Sequence, residues 1–78
     1  MVSFVATPIG NLKDITLRAL ETLKAADVIF CEDTRHTIKL LNAYDIKKPL
    51  FACHKFNETQ AAQKILEASS RGEKVAVV

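Results

Sequence analysis

Three short clusters in this chain carry side chains suited to chemistry, and each follows an apolar, strand-like run. The first is Thr7-Pro8-Ile9-Gly10-Asn11-Leu12, after residues 2–6. Pro8 removes a backbone donor and fixes one dihedral, Gly10 allows a positive φ or the close approach of a ligand, and Asn11 both donates and accepts. Composition alone favours an ordinary βα turn here, because Pro, Gly and Asn are the common turn residues. The stretch is neither a G-x-G-x-x-G fingerprint nor a phosphate-binding loop ending in Gly-Lys-Ser/Thr.

The second cluster is Glu32-Asp33-Thr34-Arg35-His36, and the third is His54-Lys55-Phe56-Asn57-Glu58. A carboxylate of Glu32 or Asp33 could hold a ribose hydroxyl, and the fork of Arg35 suits a phosphate. A carboxylate or His36 could accept the proton of a hydroxyl nucleophile. Local structure offers a plainer account: Asp33 caps a helix, Glu32 pairs with Arg35, and His36 is solvated. In the third cluster Asn57 reads as a cap and Lys55 as solvated, while Lys55 with Phe56 could meet a phosphate and stack a base. Phe56 packing at a helix entrance is the simpler alternative. Cys31, His36, Cys53 and His54 lack C-x-x-C or H-x-x-x-H spacing, so no metal site is expected.

These clusters must be held by the elements around them. Strands are predicted over residues 2–6, 28–32, 50–53 and 74–78, as β-branched and apolar runs. The first helix is predicted over residues 16–25, capped by Thr16 or Asp14, with Leu17, Leu20 and Leu23 as its apolar stripe. A second begins near Thr34 with Asp33 as cap and carries Ile38, Leu41 and Tyr44, and Pro49 ends its polar exit segment. Asn57 and Gln60 resemble a capping box for a third helix over residues 58–70. Its apolar positions are Ala61, Ala62, Ile65, Leu66 and Ala68, and Gly72 supplies the stop. A βαβαβαβ order implies an α/β fold with a parallel sheet, right-handed crossovers and strands covered on both faces. All three clusters then fall at carboxyl strand ends, the edge where parallel sheets bind ligands.

Bulk properties set limits. Seventy-eight residues make at most one small domain, and 49% apolar with 26% charged residues is ordinary globular composition. A net charge of +2 does not by itself imply a nucleic-acid partner. No apolar run approaches the roughly 18 residues of a membrane span, and residues 1–4 do not resemble a signal peptide. Cys31 and Cys53 read as buried thiols of a reducing cytoplasm. The run Val75-Ala76-Val77-Val78 has no loop after it, so the chain reads as the first part of something larger.

The loop at residues 6–12 together with Asp14-Ile15-Thr16, Arg18-Ala19-Leu20, Glu32-Asp33-Thr34-Arg35, Leu40-Leu41, His54 and Asn57-Glu58 resembles a known family across residues 2–78. That family is the 16S rRNA cytidine-2'-O-methyltransferase branch of the tetrapyrrole (corrin/porphyrin) methylases. The resemblance implies S-adenosylmethionine-dependent methylation of a cytidine ribose in 16S rRNA, by a cytoplasmic, usually dimeric enzyme with two α/β domains around the cofactor. It implies substrate contacts from Thr7, Pro8, Gly10, Asn11, Arg35 and Asn57, and a cofactor rim of Pro8, Ile9 and Gly10. Glu32, Asp33 and His54 are the catalytic candidates, and nothing in the sequence chooses a base among them. Residues 1–78 would be the amino-terminal domain, ending where a Ser-Asp-Ala-Gly-Thr-Pro-Gly type loop that helps hold the methyl donor would begin. These residues alone are then expected to be inactive and to bind the cofactor weakly. Two other readings stand beside this one. The first is a sister methylase acting on a tetrapyrrole, another RNA or a protein. The second is a non-catalytic nucleic-acid-binding module using Arg35, Lys39 and Lys55.

Overall fold

In the computed structural model, which describes residues 2–8, 11–53 and 58–78, strands and helices alternate along the chain. The strands are β1 (Val2–Phe4), β2 (Val28–Cys31), β3 (Leu50–Ala52) and β4 (Val75–Val77). The helices are α1 (Leu17–Ala25), α2 (Thr34–Ala43) and α3 (Glu58–Ser70), and a 3-10 turn spans Leu12–Asp14. Strand pairing stops one or two residues short of the expected ends. Single hydrogen bonds carry it further, from Val5 N–H to the Val77 carbonyl, Val78 N–H to Phe30 and Cys53 N–H to Cys31. Beyond them the chains diverge into loops.

All strands are parallel, in the order β1-β4-β2-β3. The chain crosses the sheet in one direction from β1 through β2 to β3, then turns back to insert β4. Crossovers of a single hand must therefore put α1 and α2 on one face and α3 on the other. The packing agrees. Leu23 of α1 and Leu40 and Leu41 of α2 cluster with Ile29 and Ala76, whereas Ala68 of α3 clusters with Val28, Phe30 and Val75. Coverage of both faces is confined to the middle of the sheet. Every residue of β2 is buried, while edge residues Phe4 (83% exposed) and Phe51 (41%) are not.

The helix faces differ from the expected stripes. α1 buries Ala19 and Leu23, and Leu17 is 78% exposed. At 100° per residue Leu17 lies about 120° around the helix from Leu23, off the contact row. α2 buries Thr37, Leu40 and Leu41 rather than Ile38, and α3 buries Ala61 and Ala68 while Ala62 and Leu66 face out. Leu23, Leu40 and Leu41 fill the core on one face of the sheet, while small Ala68 lets α3 approach the other. The exit of α2 is not simply polar either, since Ile46 is buried in the core.

Helix ends follow local chemistry. Thr16 caps α1, its hydroxyl accepting from Ala19 N–H at 3.0 Å; Asp14 does not. α3 ends in a Schellman turn, with Gly72 at φ +83°, Gly72 N–H bonded to Ser69 and Glu73 N–H to Ala68. α2 ends the same way ahead of Pro49. Asp45 N–H donates to Asn42 and Ile46 N–H to Leu41, which puts Asp45 at φ +54°. That left-handed conformation favours glycine. Asp45→Gly is therefore expected to raise unfolding free energy by about 0.5–1 kcal/mol, measurable by denaturant titration. Asn57, the proposed cap of α3, lies outside the described residues.

Candidate functional site

The carboxyl ends of β1, β4 and β2 deliver Thr7, Val78 and Glu32 to one edge. These three, with Asp33, His36 and Thr37 of the α2 entrance, line an open pocket of about 400 Å³. The first and second sequence clusters thus meet across the end of β4, which lies between their strands and adds Val78 to the pocket. Cys53 N–H lies 2.6 Å from the Cys31 carbonyl, so β3 also ends beside β2. The connection after β2 leads to the face of α1 and α2, and that after β3 leads to the face of α3. Adjacent strands with opposite exits open the kind of crevice in which parallel sheets bind ligands. The third cluster would extend from there, but His54, Lys55, Phe56 and Asn57 lie outside the described residues. So do Ile9 and Gly10 of the first.

The two carboxylates are not equivalent. Asp33 caps α2, its Oδ1 accepting from Arg35 N–H at 3.0 Å. Glu32 is exposed, and among the described residues it forms no ion pair; the expected Glu32–Arg35 pair is not seen. Among the described residues, Glu32 is therefore the carboxylate of the pocket that takes no part in capping or ion pairing. Arg35 lies around the corner, in a second concavity with Asp33, His36, Ile38 and Lys39.

Thr37 is a site residue that sequence patterning does not single out. It is a buried polar residue one turn beyond the cap, its N–H bonded to the Asp33 carbonyl at 3.1 Å. The one signal for it in the sequence is a hydroxyl four residues after a capping Asp, a spacing that puts both on one helix face. Its hydroxyl meets the Cys31 thiol behind the pocket. Burial pushes that thiol's pKa up, and the hydrogen bond from Thr37 opposes the shift without cancelling it. Cys31 is thus held neutral near pH 7. Among the described residues no three His, Cys, Asp or Glu side chains gather as a metal ion would need.

The opening loop is anchored where it leaves the pocket. Asn11, expected at the substrate, uses its side-chain oxygen to accept from Lys13 N–H at 3.0 Å and so caps the 3-10 turn. The Tyr44 hydroxyl donates to the Leu12 carbonyl at 2.7 Å, tying this turn to the far end of α2. Pro8 is half-buried in the loop. Tyr44→Phe is expected to cost about 0.5–1.5 kcal/mol and to speed amide exchange at Asp14 and Ile15, read by hydrogen exchange.

A larger apolar groove lies far from this edge, between α3 and the starts of β2 and β3, with Phe30, Pro49, Phe51 and Lys64 among its walls. It holds none of the three clusters. Among the described residues no helix is long and apolar enough to cross a membrane.

The whole chain, residues 1–78, matches the family model described as Tetrapyrrole (Corrin/Porphyrin) Methylases. It is 57% identical over 77 residues to a protein of Mycoplasmopsis pulmonis named Ribosomal RNA small subunit methyltransferase I, covering 99% of this chain and 35% of that protein. Proteins of the same name from Thermotoga maritima and Bacillus subtilis are 53% and 47% identical over 74 residues, 95% of this chain in both cases. The match covers 33% of the first and 25% of the second. The chain therefore spans about a quarter to a third of the length of these curated relatives.

Proposed function

Because this chain belongs to the tetrapyrrole (corrin/porphyrin) methylase family, we propose that it is the amino-terminal α/β domain of an S-adenosylmethionine-dependent methyltransferase. Its substrate would be small-subunit ribosomal RNA and its target a cytidine ribose 2'-hydroxyl. The observation that carries this reading is identity of 47–57%, over nearly the whole chain, to proteins named for that RNA.

The pocket chemistry supports it. Bound S-adenosylmethionine would supply an activated methyl on a positively charged sulfur. Two carboxylates beside the hydroxyls of Thr7 and Thr37 suit a ribose and a nearby cation. In this reading Glu32 receives the proton of the ribose hydroxyl on a carboxylate oxygen, and Asp33 holds the α2 entrance in place. In the same reading Thr7, Pro8, Gly10 and Asn11 would contact the substrate, Pro8, Ile9 and Gly10 the cofactor, and Asn57 the substrate, with His54 as a further catalytic candidate. The larger part of such chemistry is alignment of hydroxyl and methyl carbon, which a rigid sheet edge provides.

The same reading puts the complete protein in the cytoplasm as a homodimer, which analytical sedimentation tests. The decisive experiment incubates small ribosomal subunits with labelled S-adenosylmethionine and the complete protein. Label at a cytidine ribose is expected; label on a base, on protein or nowhere would overturn the proposal.

A further inference from the structure

The side of α2 that faces away from the core carries Arg35, His36 and Lys39, and no acidic residue occurs between Thr34 and Ala43. Arg35 and Lys39 are four residues apart and so stack on one side of the helix, a turn apart. All three side chains are exposed, and among the described residues none has an ion-pair or hydrogen-bond partner. Arg71, by contrast, is paired with Glu73 at 2.7 Å. Arg35, His36 and Lys39 line a concavity of about 530 Å³ with Asp33 and Ile38, and Asp33 and His36 also line the pocket that holds Glu32. The carboxylates of Glu32 and Asp33 and the charges of Arg35 and Lys39 thus adjoin along one surface.

An RNA strand presents the matching sequence of groups. A ribose offers neutral hydroxyls, and the phosphodiester next to it carries a negative charge. The carboxylates of Glu32 and Asp33 repel a phosphate from the pocket and tolerate a ribose, while Arg35 takes a phosphate through two parallel hydrogen bonds and Lys39 as a point charge. Ile38, 43% exposed beside Arg35, offers apolar contact to a sugar or base face. We propose that this face of α2 is the path of the RNA phosphate backbone leaving the target nucleotide, with Arg35 and Lys39 each neutralising one phosphate. The inference rests on the methyltransferase reading above.

The test is the salt dependence of binding by the complete protein to deproteinised small-subunit rRNA. Each phosphate contact to a single strand contributes about 0.7 to the slope of log K against log salt, so Arg35→Gln with Lys39→Gln should reduce its magnitude by about 1.4. Glutamine keeps the stem and the helix preference, so the thermal midpoint should not move. A control pair, Lys24→Gln with Lys47→Gln, removes the same charge from exposed positions elsewhere and should leave the slope as it was. An unchanged slope in the α2 pair, or an equal loss in the control, overturns the proposal. So does a defect seen with intact subunits but not with free rRNA, which would assign the surface to a ribosomal protein. These outcomes count against the α2 path alone if the wild type methylates its subunit. A wild type that does not methylate fails the underlying reading instead.

Discussion

The Glu32→Gln variant of the complete protein is expected to lose about 100- to 10,000-fold in kcat for methyl transfer, the range over which a positioned general base acts. Glutamine keeps the length and shape of the side chain and removes only its ability to take a proton. The expectation rests on a difference between neighbours. Asp33 spends one oxygen on the Arg35 N–H at the head of α2, and Glu32 is exposed in the pocket without an ion-pair partner among the described residues. Asp33→Asn preserves an accepting oxygen and should keep the cap, whereas Asp33→Ala should cost about 0.5–2 kcal/mol of stability. Single-turnover kinetics on the small subunit, with melting curves beside them, separate the two roles. If Glu32→Gln turns over normally while Asp33→Asn or a His54 variant is dead, the base has been assigned to the wrong residue.

Phe30→Ala should be the most damaging single change to the fold, at about 3–5 kcal/mol. Phe30 is 2% exposed at the middle of β2, flanked by β4 and β3, and it packs with Val28, Val75 and Ala68 of α3. Its ring also lies 5.5 Å from that of Phe51. Truncation removes the largest fully buried side chain and leaves a hole that a sheet of three- and four-residue strands cannot easily close. A domain of this size has only about 4–12 kcal/mol to lose. Denaturant titration should show a large fall in midpoint, and a loss below about 1 kcal/mol would mean that this face is far more pliable than its burial implies. The effect reaches the site, because the Phe30 carbonyl takes the Val78 N–H at 2.9 Å and Val78 lines the pocket.

Part of the site is legible in the sequence. Asp33 as cap, Thr16 as a possible cap, Gly72 as stop and the placement of three clusters after three strands all follow from short-range chemistry. Where the buried helix faces depart from the apolar stripes, the cause is equally local. Leu17, Ile38 and Leu66 are bulky and apolar, yet each is substantially exposed, while Leu23 of α1 and Leu40 and Leu41 of α2 are buried. A short helix offers more than one arc of apolar residues, and the arc that wins is the one whose small members, such as Ala19, Thr37 or Ala61, let the backbone approach the sheet. Thr37 is hard to recognise for the same reason, as a polar residue in a helix reads as solvated until the sheet is laid against it.

What the sequence determined alone was the alternation of strand and helix, the helix caps and the parallel α/β class, because periodicity and capping act within a few residues. Tertiary structure decided that β4 enters between β1 and β2, that α3 takes the opposite face, and that Thr7, Glu32 and Val78 share one pocket. Strand order is a contest among pairings whose local signals are nearly alike. It is settled by burying β2 and β4 at the centre, beneath helices on both faces, and no short window of sequence records that total.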